Sequence, residues 1–135
     1  MSESHRGRCL CGAVHFEFEG DPNWVAYCHC ESCRRNTASP TTVFIGVDRD
    51  RCRYSKGEPA SYESSPGVRR HFCGRCGTPL AYDADRYPQE IHYYLVNLED
   101  PERFRPQAHV FTREQLGWFE VADDLKRYQA SGSSA

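Results

Sequence analysis

The chain of 135 residues predicts a mainly β fold with only short helical turns. Three observations carry that expectation. Residues 13–20, AVHFEFEG, alternate strictly between apolar and polar. The runs TTVFIGV (41–47) and IHYYLVNL (91–98) are rich in β-branched and aromatic residues. Gly and Pro recur at short intervals, and helical periodicity is scarce.

The elements follow in order. In AVHFEFEG, Val14, Phe16 and Phe18 share one face while His15, Glu17 and Glu19 share the other. This is a half-buried strand ended by Gly20 and Pro22. CESCRRN (30–36) opens a helical turn, and Thr41–Val47 is the next strand. ASYES (60–64) and VRRHF (68–72) are short strands flanking a turn at Pro66 and Gly67. Ile91–Leu98 gives the strongest strand signal. EDPERF offers Asp100 as N-cap and Pro101 at the first position, enough for one short turn. AHVFT (108–112) is a further strand, and the tail QASGSSA (129–135) reads as frayed.

Length predicts one domain over residues 1–135, small enough that a metal staple helps its core. The opening MSESHRGRCL has no apolar run, so neither a signal peptide nor an anchor is expected, and no apolar stretch of about 18 residues occurs. The expectation is a cytoplasmic protein, where clustered cysteines hold metal rather than disulfides. The net charge is −2, from 17 basic and 19 acidic residues, which makes nucleic acid a poor default partner and gives no membrane-binding character.

Seven of the eight cysteines fall into three clusters: Cys9-Leu-Cys11, Cys28-His-Cys30-x-x-Cys33 and Cys73-x-x-Cys76-Gly77. The last has the spacing of a zinc knuckle, since two intervening residues let both sulfurs face a point about 2.3 Å away. A redox dithiol uses the same spacing but wants a strand-to-helix setting, which HFCGRCGTPLAY lacks. In a Cys-x-Cys on extended chain, both sulfurs point to one face. Counting then groups Cys9, Cys11, Cys73 and Cys76 as a closed structural site. Cys28, Cys30 and Cys33 remain as a three-ligand site with an open position. A second pairing, Cys9 and Cys11 with Cys28 and Cys30, splits a compact cluster. Cys52 is either an extra ligand to the trio or a small buried residue of the core.

RCLCGAVHFEFEG, YCHCESCRRNTASP, HFCGRCGTPL and HVFTREQLGWFEVADDLKRY together resemble the glutathione-dependent formaldehyde-activating enzyme family, which also includes centromere protein V. The resemblance runs from about Arg8 to Tyr128. It implies a β-tent-like domain with two zinc ions per chain. Cys9, Cys11, Cys73 and Cys76 would hold the structural zinc, and Cys28, Cys30 and Cys33 the catalytic one. Position 52 is usually apolar in the family, which places Cys52 in the core. Ala38 and Pro40 depart from the family pattern just after the trio.

The implied activity is that of a carbon–sulfur lyase, condensing the thiol of glutathione with formaldehyde or a related small aldehyde to an S-hydroxymethyl adduct. The alternative is a non-catalytic zinc-binding scaffold or interaction module. Three thiolates on Zn²⁺ leave one net negative charge, so the ion activates water poorly and suits a thiol as fourth ligand. Arg34 or Arg35 is a candidate to offset a fourth thiolate or to hold a glutathione carboxylate. His29, flanked by two ligands, is expected to turn away from the sulfurs, and His109 is a candidate to approach a site. Trp24, Trp118 and Phe119 either line a pocket or fill the core. No residue beyond the trio is assigned a catalytic role, and no organic cofactor is expected.

Overall fold

The computed structural model describes residues 3–132 and contains eleven strands in two sheets. They are β1 (Ser4–Arg8), β2 (His15–Glu19), β3 (Trp24–Cys28), β4 (Thr42–Asp48), β5 (Cys52–Lys56), β6 (Ala60–Ser65), β7 (Val68–Phe72), β8 (Pro79–Ala84), β9 (Glu90–Tyr94), β10 (Ala108–Val110) and β11 (Lys126–Arg127). The small sheet has the order β1-β2-β5. The large one has the order β11-β10-β3-β4-β9-β8-β7-β6. Pairing is antiparallel except where β10 lies parallel to β3 and β11 parallel to β10. The one α-helix among the described residues is α1 (Glu31–Thr37).

Alternation determines which face each residue buries. Val14, Phe16 and Phe18 are buried, as their spacing predicts. Phe16 stacks on Tyr93 of β9 with ring centroids 4.3 Å apart and planes 2° from parallel, which joins the small sheet to the large one. Ile45, Val47, Ile91 and Leu80 complete this core. β4 and β9 also bury their other face. There Phe44 and Tyr94 pack with Cys28 and Cys33 in a second apolar cluster beneath α1. A strand buried on both faces reads as an unbroken apolar run, which explains TTVFIGV and IHYYLVNL.

The expected strand at Ile91–Leu98 is shorter than its apolar run. It ends at Tyr94, and Leu95–Asn97 form a 3₁₀ turn closed by a hydrogen bond from the Leu98 N–H to the Leu95 carbonyl at 3.0 Å. The Asn97 amide ties that turn to the Pro79 carbonyl at 2.7 Å. The turn expected at Asp100 and Pro101 closes through the Arg103 N–H on the Asp100 carbonyl at 3.2 Å. Of the tail expected to fray, Ala130 accepts a hydrogen bond from the Phe111 N–H at 2.9 Å. Residues 133–135 lie outside the described residues.

Candidate metal centres and cavity

The sulfurs of Cys9, Cys11, Cys73 and Cys76 lie within 4.8 Å of one another. Cys9 and Cys11 stand in the turn between β1 and β2, and Cys73 and Cys76 in the turn between β7 and β8. The cluster therefore joins the small sheet to the large one. The Cys9 and Cys11 sulfurs are 3.7 Å apart, and those of Cys11 and Cys73 are 3.8 Å apart. A tetrahedron of bonds about 2.3 Å long has an edge of about 3.8 Å, so the four sulfurs fit a zinc ion.

Both turns are built for this. The Gly12 N–H returns to the Cys9 carbonyl at 3.2 Å, and the Gly77 N–H to the Cys73 carbonyl at 2.8 Å. Each glycine sits at positive φ, 80° and 83° respectively, which a residue with a side chain adopts only with strain. Backbone amides then face the sulfurs: Val14 on Cys9 at 3.3 Å, and Arg75 and Cys76 on Cys73 at 3.4 Å. The Thr78 hydroxyl, 3.0 Å from the Cys76 sulfur, is the chief reason that this thiol is lowered to about 5. These contacts favour the thiolate that a metal requires. The two sulfurs of Cys9-Leu-Cys11 meet through a turn, whereas the spacing alone predicts extended chain.

The sulfurs of Cys28, Cys30 and Cys33 form a second cluster, likewise within 4.8 Å of one another. Cys28 ends β3, Cys30 caps α1, and Cys33 lies in the first turn of α1. The Cys30 sulfur accepts from the Cys33 N–H at 3.3 Å, so it fills the place that a Ser or Asp oxygen takes at most helix starts. The Cys28 and Cys33 sulfurs are 3.8 Å apart, again the edge of a zinc tetrahedron. Hydrogen bonds from Cys28 and Cys33 hold the Cys30 thiol low, while sharing its proton with Cys30 and Cys33 pushes Cys28 up.

Among the described residues, no fourth His, Cys, Asp or Glu ligand atom joins the trio. Cys52 is remote: it opens β5 in the small sheet, packs against the main core and approaches the Arg49 carbonyl at 3.6 Å. None of the eight cysteines is in a disulfide. Instead, the three sulfurs line a cavity of about 1020 Å³. Trp24, Phe44, Tyr82 and Val110 supply apolar wall, and the cations Arg70, Arg86 and Lys126 lie around it. Trp24 holds its place by donating from Nε1 to Glu90 at 3.2 Å and by an edge-on contact with His92 at 4.6 Å.

The structure redistributes the other candidates. Arg35 is 78 % exposed and pairs with Glu31, and Arg34 donates to the Glu114 carbonyl at 3.3 Å. The cation recorded on a sulfur of the trio is Arg70 of β7, 3.6 Å from Cys33. Val68, Arg70 and Phe72 share a strand face in VRRHF, so an arginine on an apolar face was the signal that could have found it.

His29 turns to His109, with its Nε2 2.8 Å from His109 Nδ1, while His109 Nε2 is 2.9 Å from Asp123. The carboxylate sets the direction: His109 donates to Asp123 and accepts from His29. Burial lowers His29 to about 4, and its Nδ1 has no hydrogen-bond partner. The chain Asp123–His109–His29 thus pins the peptide between Cys28 and Cys30. Trp24 lines the cavity, Trp118 is 74 % exposed, and Phe119 packs 6.4 Å from His29.

Residues 4–114 match the sequence profile of a family described as glutathione-dependent formaldehyde-activating enzyme. A Schizosaccharomyces pombe protein named an uncharacterized lyase is 32 % identical over 93 residues, 67 % of each chain. A Halomonas elongata protein that carries the provisional name of a glutathione-dependent formaldehyde-activating enzyme is 28 % identical over 125 residues. That match covers 85 % of this chain and 79 % of the relative. The fold is similar to a crystal structure of a Rhodobacter sphaeroides protein, with a TM-score of 0.56 at 21 % identity over 70 % of this chain and 87 % of that one.

Proposed function

The chain belongs to the glutathione-dependent formaldehyde-activating enzyme family, and on that premise we propose that it is a zinc-dependent carbon–sulfur lyase. Its reaction joins the thiol of glutathione to formaldehyde or a related small aldehyde, and runs in reverse to release them. The observation that carries this reading is the contrast between the two clusters. Four sulfurs close on themselves between two sheets, whereas three sulfurs without a fourth ligand open onto the cavity. Closed sites are structural and open ones catalytic.

In this reading Cys9, Cys11, Cys73 and Cys76 would hold one zinc, and Cys28, Cys30 and Cys33 would hold the other. A zinc ion held by that second set would acidify a thiol docked from the cavity. The protein's own residues do the rest. α1 and β3 fix the three sulfurs, and Trp24, Phe44 and Tyr82 give the reacting atoms apolar walls. The sulfur lone pair bonds to the carbonyl carbon, the π pair moves to oxygen, and that oxygen takes the proton the thiol gives up. Atoms balance without an oxidant. Thiolate ligands need reducing surroundings, which supports a cytoplasmic location. No helix among the described residues is long and apolar enough to cross a membrane.

The test counts metal per chain and then titrates glutathione into cobalt-substituted protein while following thiolate-to-metal absorption. Two metals per chain, one of them responding to glutathione, together with faster exchange of S-(hydroxymethyl)glutathione than in buffer, is the expected result. Cys33→Ser then loses one metal and stays folded. Two inert metals point to the scaffold reading instead.

A further inference from the structure

Arg70 is 5 % exposed, in the middle of β7. Its strand neighbours Arg69 and His71 point to the other face and share the carboxylate of Asp83. Arg70 has no carboxylate partner among the described residues. Its Nε donates to the Ser64 hydroxyl at 3.2 Å, its Nη1 to the Cys33 sulfur at 3.6 Å, and its guanidinium lies 5.1 Å over the Tyr82 ring. A buried charge with no counter-charge is strongly disfavoured. The Tyr94 hydroxyl also faces it, but burial raises that group and keeps it neutral, so the sulfurs of the trio are left to supply negative charge.

We propose that Arg70 is the charge partner of the three-cysteine site, the residue that lets a fourth sulfur bind there as a thiolate. The inference rests on the reading of that site as a thiol-binding zinc centre. Three thiolates around a divalent ion carry one net negative charge, and a fourth makes it two. A guanidinium beside Cys33 lowers those totals to zero and one, from a buried position that salt screens weakly. Arginine suits the task because it cannot lose its proton and is less strongly hydrated than an ammonium group. Ser64 and Tyr82 hold its plane, so the charge is in place before a ligand arrives. Arg70 also forms part of the cavity wall, so its charge acts on the docking sulfur as well as on Cys33.

The test compares wild type, Arg70→Met and Arg70→Lys, each cobalt-substituted, titrated separately with glutathione and with the uncharged 2-mercaptoethanol. A hydrogen bond to a charged group translates to about 10- to 100-fold in affinity. Arg70→Met is expected to bind both thiols weaker by that factor, with part of the loss recovered in Arg70→Lys. An Arg70→Met protein that binds thiols like wild type overturns the proposal. So does a loss confined to glutathione, which would assign Arg70 to a carboxylate, or a Lys variant as poor as the Met variant. If wild type itself shows no thiol response, the zinc–thiol reading fails, and chelator competition judges Arg70 separately. There Arg70→Met must release the second metal about 10-fold more readily than Arg70→Lys, and equal release overturns the assignment.

Discussion

Replacing Gly46 by Ala tests how the cavity wall is built. Gly46 of β4 pairs with Trp24 of β3, and the indole lies across it. A Cβ at Gly46 would stand 2.3 Å from both Cε2 and Nε1 of Trp24 and 2.8 Å from Cζ2. Carbon contacts begin at about 3.5 Å, so the indole must move by roughly 1 Å or more. That movement takes Nε1 out of reach of Glu90, now 3.2 Å away. A hydrogen bond to a charged acceptor is worth about 1.5–3 kcal/mol, and overpacking adds about 1–3 kcal/mol. Partial relaxation sets the expected loss near the lower combined figure, about 2.5 kcal/mol, which lowers the melting midpoint by about 9 °C for a chain of this size. Thermal unfolding measures the first quantity. Tryptophan emission measures the second in a Trp118→Phe background, where Trp24 is the one indole left. Trp24→Phe should relieve the clash, so the double variant must cost less than the sum of the single ones. A Gly46→Ala protein within about 0.5 kcal/mol of wild type, with unchanged Trp24 emission, would refute the packing argument.

Other outcomes follow from the same structure. Cys76→Ser should lose one metal and the cooperative unfolding transition, because structural zinc binding of about 10–16 kcal/mol rivals the whole stability of a small domain. A wild-type midpoint in chelator-treated Cys76→Ser protein would count against a zinc joining the two sheets. Ala38→Gly should stabilise by about 0.5–1 kcal/mol in urea unfolding, since Ala38 closes α1 at φ 54° and ψ 41°, a left-handed position that glycine occupies without strain. For Asp83, burial pushes the carboxyl up, but hydrogen bonds from Arg69 and Arg49 outweigh it and hold the group at about 2. Its contribution is present above the ordinary value of 3.8 and is lost as pH falls toward 2. Asp83→Asn should therefore cost about 2–3 kcal/mol near neutral pH, with the difference from wild type shrinking between pH 4 and pH 2. A difference that does not change over that range would exclude this linkage.

What the sequence revealed depended on whether one face of an element meets solvent. Val14, Phe16 and Phe18 announce β2 because their neighbours are polar. Val25, Ala26 and Cys28 are all buried, so WVAYC in β3 has no alternation to read. PLAYDA in β8 begins with a proline and was equally silent. α1 is capped by Cys30, a residue outside the usual capping set, and so it read as a turn. The cysteine groups were legible because their parts are local motifs, Cys-x-Cys and Cys-x-x-Cys, and counting ligands then joined the two pairs that lie 62 positions apart. Arg70 was not, because its partner Cys33 is 37 positions away and on another strand connection. The Asp123–His109–His29 chain depends on β10 lying beside β3, a parallel pairing that no local pattern encodes.

That parallel pairing also orders events during synthesis. Val110 of β10 sits opposite Cys28 and closes one side of the cavity, yet it follows Cys33 by 77 positions. At about 5–20 residues per second, the ribosome delivers it about 4–15 seconds later. For that interval the nascent chain presents its three sulfurs without their wall. A metal ion bound at the trio during that interval would not have to pass through the cavity mouth.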